Sequence, residues 1–185
     1  VSVSIFAFMT AFLVAKYGNF NSSVLLTNLA YDVALTIRNA QTYGLNVKSQ
    51  PVGGAAYSSE FRYGYGVHFD ESSAGTPPAN TQMIFFVDLD GDYTYDDPGE
   101  LVARYTLRGG SKISGICTGT PTDPDTDNCA AAINSFDVSF KRPDPDAVFN
   151  EPLKKYAEIT LQSTSGTTKT VVVRSTGQID VLHNR

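Results

Sequence analysis

The sequence predicts an α+β protein: one long N-terminal α-helix, apolar in its first half and amphipathic in its second, packed on an antiparallel β-sheet domain. Three observations predict it. Residues 1–15, VSVSIFAFMTAFLVA, carry no charged side chain. From Leu26, apolar residues recur at Leu29, Ala30, Val33, Ile37 and Ala40, a helical stripe with Asp32, Arg38, Asn39 and Gln41 on other faces. After Pro51 the apolar period changes to two, divided by Gly-, Pro-, Asp- and Ser-rich turns. A chain of 185 residues can bury one sizeable core and carry an appendage. We divide it into an apolar helix with its joint (1–23) and a globular unit (24–185), whose half-helix over 24–44 leads into a β-rich head.

In the first half, Ile5, Phe6, Phe8, Met9, Phe12, Leu13 and Val14 leave no polar face. Helices apolar all round are buried in a core, in an assembly or in lipid. A signal peptide would need a basic start, and none is present. Gly18, Asn19, Asn21 and Ser22 follow, all poor helix formers, so a flexible joint is expected here. Asn21-Ser22-Ser23 also fits the N-x-S glycosylation pattern, while Ser22 or Ser23 as a helix cap explains the same residues. Gly44 is expected to stop the helix.

Strands are expected at Ala55–Phe61, Gly64–Phe69, Gln82–Asp88, Leu101–Leu107, Lys112–Cys117, Phe136–Lys141, Ala157–Gln162, Thr170–Ser175 and Gln178–Leu182. The clearest hairpin joins 156–163 to 168–175 through Thr164-Ser165-Gly166-Thr167.

The net charge of −5 argues against a broad nucleic-acid surface, which needs clustered Lys and Arg. Cys117 and Cys129 bracket a Thr-, Pro- and Asp-rich loop. They read as a disulfide, and so as a domain outside the cytoplasm, with unrelated thiols as the alternative. Asp88, Asp90, Asp92 and Asp96 occupy positions one, three, five and nine of an acidic loop that ends at Glu100. A calcium ion with six to eight oxygen ligands needs such a supply of carboxylates. The glycine and glutamate positions are not those of an EF-hand, and an acidic turn bonding its own backbone is the other reading. Neither His68 nor His183 falls in a nucleophile or metal motif, and no phosphate-cradling loop is present, so no catalytic residues and no enzyme activity are expected.

The apolar helix, the Gly/Asn break and NLAYDVALTIRNAQTYGLNV leading into strands resemble the type IV pilin and pseudopilin superfamily, more narrowly its pseudopilin H and fimbrial T-like branch. The carrying features are Arg38-Asn39-Ala40-Gln41-Thr42-Tyr43-Gly44 and the closing ITLQSTSGTTKTVVVRSTGQIDV, with Gly177 turning into the last strand. The resemblance implies a pilin-like fold. It implies a structural subunit that waits in the inner membrane, is extracted by pilus assembly machinery and polymerises with itself into an extracellular filament through its apolar helix. It also leaves open a minor pseudopilin that primes assembly, or a DNA-binding minor pilin that the acidic charge disfavours. The family's mature chains open with further apolar residues and a glutamate. About seven residues are therefore expected before Val1, which would extend the segment to about 22, the length of a bilayer span.

Overall fold

The computed structural model describes residues 2–46, 63–96, 98–120 and 131–182, with the side chains of 2, 13–21 and 131 outside the description. In chain order the elements are α1 (Ser2–Leu45), β1 (Gly64–Asp70), β2 (Gln82–Asp88), β3 (Leu101–Thr106), β4 (Lys112–Gly119), β5 (Ala131–Ala132), β6 (Ser135–Phe140), β7 (Ala147–Phe149), β8 (Tyr156–Gln162), β9 (Thr168–Arg174) and β10 (Ile179–Leu182). The expected strand at Ala55–Phe61 lies outside the described residues.

The expectation of a long helix packed on a β-sheet is corrected. Strands dominate, in two five-stranded sheets ordered β3-β2-β1-β6-β7 and β10-β9-β8-β4-β5, with every pairing antiparallel. The helix covers only part of them. Its side chains at 3–12 are exposed, and packing begins at Leu26. The reason is area. One helical stripe cannot cover the apolar faces of so many strands, so both sheets contribute to a common core. That core joins Val67, Phe85 and Phe136 of the first sheet to Ile116, Ile159 and Val171 of the second.

Within the core, Leu26, Ala30, Val33, Ile37 and Ala40 are fully buried, as the spacing predicts. α1 touches β1 and β6 of one sheet and β8, β9 and β10 of the other. The helical segment 38–44 is where these contacts become specific. Arg38 Nη2 donates to Ile179 O (3.2 Å), and Gln41 Nε2 donates to Pro145 O (2.9 Å) and Gly177 O (3.2 Å). Tyr43 meets Tyr65 and Phe85 edge-on, with ring centroids 5.7 and 5.4 Å apart. A Cβ on Gly44 would stand 2.2 Å from the carbonyl oxygen of Phe140, so this glycine serves a close helix–strand approach as well as the helix end.

The backbone of α1 is helical through Gly18, Asn19, Asn21 and Ser22, where a joint is expected from propensity. Propensity costs of about 1 kcal/mol for a glycine are small beside the hydrogen bonds on either side.

Cys117 on β4 is disulfide-bonded; Cys129, its expected partner, lies outside the described residues. Cys117→Ser is expected to cost about 3 kcal/mol, from the unfolded-state freedom it restores. Melting the wild type with and without reductant beside the variant measures it: reductant should shift the wild type and leave the variant unchanged.

Candidate functional site

The seven-residue strand β2, QMIFFVD, is buried along its whole length, so both of its faces are covered. Met83, Phe85 and Val87 enter the common core. Phe86 and Asp88 face the other way, and the loop that follows β2 folds back over them. Tyr95 packs on Phe86 (5.8 Å between centroids) and on His68 (5.4 Å). Gly66 makes room for Phe86, since a Cβ there would lie 2.5 Å from its ring.

This fold-back carries the acidic residues. Asp88, the last residue of β2, is 1% exposed, and Glu100, in the 3-10 turn Pro98–Glu100 before β3, is 2% exposed. Each spends one oxygen on the loop. Asp88 Oδ1 accepts from the Gly91 N–H (2.7 Å) and Glu100 Oε1 from the Leu89 N–H (2.9 Å). The other oxygens, Asp88 Oδ2 and Glu100 Oε2, are buried without a hydrogen-bond partner among the described residues. Burial pushes both carboxyls above their ordinary pKa, despite the backbone N–H groups that favour the charged forms.

The five candidate metal ligands fall into two overlapping triads. Asp88, Asp90 and Glu100 each offer an oxygen within 4.8 Å of the others, and so do the exposed Asp90, Asp92 and Asp96. The outer group is committed elsewhere in part, because both oxygens of Asp92 accept from the Thr94 hydroxyl (2.8 Å each). Aspartates bonding their own turn are thus present in both halves of the loop, the Gly91 N–H donating to Asp88 Oδ1 (2.7 Å) and the Asp92 N–H to Asp90 Oδ1 (3.2 Å). The acidic-turn reading of the sequence accounts for these hydrogen bonds.

A row of polar side chains that sequence reading missed crosses the same outer face. His68 and Asp137 are cross-strand partners, with Nδ1 2.8 Å from Oδ1. Asn150 Nδ2 donates to Asp137 Oδ2 (3.1 Å), and the Asp137 N–H donates to Asn150 Oδ1 (3.2 Å). His68, Gln82, Tyr95 and Arg104 line a cavity of about 290 Å3 beside it. His68 thus pairs with a carboxylate that is itself braced, an arrangement that ties β1, β6 and the end of β7 together. No sequence motif could reveal it, because the three residues are 69 and 13 positions apart.

At the other end of the molecule, the N-terminal turns of α1 expose Val3, Ile5, Phe6, Phe8, Met9 and Phe12, with Val3 at 83% and Phe8 at 77%. Thr10 Oγ1 returns to the Phe6 carbonyl (2.9 Å), so its hydroxyl is satisfied without water. Leu13 and Val14 belong to the same expected surface and lie among the side chains outside the description. Among the described residues no helix is long and apolar enough to cross a membrane. Of the expected joint and glycosylation residues, Ser22 is held by a hydroxyl–hydroxyl contact to Ser165 in the β8–β9 turn (2.7 Å), and Ser23 O accepts from Thr27 Oγ1 (2.9 Å). The side chains of Asn19 and Asn21 fall outside the description, and of Gly18 only the helical backbone is described.

Comparison of the chain with family models, with curated proteins and with solved structures finds no match.

Proposed function

We propose that this chain is a structural subunit of a pilus-like extracellular filament, polymerising by packing its N-terminal helix against those of neighbouring copies. One observation carries the reading: six large apolar side chains over residues 3–12 are exposed on a helix whose later turns are anchored in the head. A water-exposed surface of this kind is costly, and each such side chain contributes about 1.5–3 kcal/mol when buried. About twelve turns of helix (Ser2–Leu45) carry the apolar end on a stalk, so that heads can remain outside while the apolar ends gather. The disulfide at Cys117 agrees with an oxidising, extracellular destination. In this reading the same apolar end first holds the subunit at the inner membrane, from which the assembly machinery takes it.

Electron microscopy of the chain and of its Phe8→Asp/Phe12→Asp variant tests this. Filaments are expected from the wild type and none from the variant, while the melting temperature of the head stays within about 1 °C, because both side chains are exposed and neither belongs to the buried core. A variant that still assembles, or a wild type that stays dispersed when its source organism makes filaments, sinks the reading.

A further inference from the structure

The inner triad has a feature that an ordinary acidic turn lacks. Asp88 and Glu100 are buried, sit within a few ångströms of Asp90, and each keeps one buried oxygen that no described residue satisfies. A buried polar atom without a partner costs about 1–3 kcal/mol, and more when charged. Two such atoms from facing carboxylates compound that cost. Lys141, which favours the ionised form of Asp88, lies over the Tyr93 ring (5.8 Å to the centroid). A cation held between the carboxylates would satisfy both open oxygens at once.

We propose that Asp88, Asp90 and Glu100 form a calcium site that staples the start and end of the β2–β3 loop. The ligands are all hard oxygens, and they come from an irregular loop with an exposed side on which water can complete six to eight positions. Magnesium fits less well, because it demands near-ideal octahedral geometry and gives up its water reluctantly. Asp92 and Asp96 then serve as an outer, solvent-facing acidic rim that raises the local cation concentration. Because Tyr95 lies within the stapled loop and covers Phe86 and His68, the ion also fixes the cover of the outer sheet face. This site does not depend on the filament reading. It concerns the head alone, and either can fail without the other.

The full chain offers its own probe. It has no tryptophan, and Tyr93 and Tyr95 belong to the loop, so a terbium ion bound there is excited through tyrosine. Terbium luminescence excited through tyrosine is expected to saturate with one ion per chain and to be displaced by calcium. In the exposed Asp90→Asn variant, which the core tolerates, terbium affinity should fall at least about tenfold, one lost charge–ligand contact being worth 1.4 kcal/mol or more. Glu100→Gln should lose binding similarly, yet melt in chelator at or above the wild-type temperature, since it removes one of two repelling carboxylates. Calcium at 100 times its dissociation constant should raise the wild-type melting temperature by about 5 °C or more over chelator, and magnesium at the same concentration by far less. The proposal is overturned if calcium leaves the melting temperature unchanged and terbium fails to bind, the result expected if Asp88 and Glu100 share a proton instead. Binding that neither variant weakens overturns it as well.

Discussion

Ile37→Ala is expected to destabilise the protein by about 2–5 kcal/mol, while Leu35→Ala, two positions away on the same helix, should change it by no more than about 0.5 kcal/mol. Ile37 has 0% exposure and belongs to the core that α1 shares with both sheets; Leu35 is 56% exposed. Truncating Ile37 removes buried methyl groups and leaves a cavity whose walls are strands in two hydrogen-bonded sheets. Such walls collapse poorly, which favours the upper half of the range. Denaturant unfolding of the two variants measures the contrast, and similar losses in both would mean that the helix does not present the face described. The result also bears on the anchoring of the filament-forming end. Loss of helix docking would release the apolar turns together with the stalk that holds them away from the head.

The second large effect belongs to a glycine. Gly177→Ala should cost about 3 kcal/mol or more, against about 1–2 kcal/mol for Gly166→Ala. Both residues have positive φ, +80° and +84°, where an L side chain is strained. They differ in surroundings. A Cβ on Gly166 would meet nothing within 4 Å, whereas one on Gly177 would stand 2.2 Å from Pro145 O and 2.6 Å from Gln41 Nε2. The side chain could move, but the Pro145 carbonyl belongs to a backbone segment that Gln41 itself holds (2.9 Å). Relieving the clash therefore means pulling the β9–β10 turn away from the helix and losing the Gln41 bonds. Thermal melts of the two alanine variants separate the backbone cost common to both from the packing cost peculiar to Gly177. Equal melting temperatures would show that the close approach carries no energy.

Local pattern made much of this molecule readable before its fold was known. Eight of the expected strands coincide with observed ones to within three residues at each end, because alternation and Gly- or Asp-rich dividers are local signals. Two further strands, Ala131–Ala132 and Ala147–Phe149, are two and three residues long, too short for any period to register. The acidic loop was visible from its carboxylate spacing, but that spacing treated five acids as equals. Burial separates them: Asp88 and Glu100 are drawn inside by a strand end and a 3-10 turn, while Asp92 is left to bond Thr94.

By itself the sequence determined where the chain is helical and extended, which stripe of the helix is buried, and that residues 3–12 offer the solvent no polar face. Those properties depend on neighbours three, four or two positions away, so composition and period suffice to specify them. Tertiary structure alone decided that the strands form two sheets instead of one, that Gly44 and Gly177 are required by backbones 96 and 32 residues distant (Phe140 and Pro145), and that two carboxylates are left with an unsatisfied oxygen. It also brought His68, Asp137 and Asn150 into one row. Each of these depends on which distant segments share a face, and that follows from the total apolar area needing cover, a quantity no local window contains.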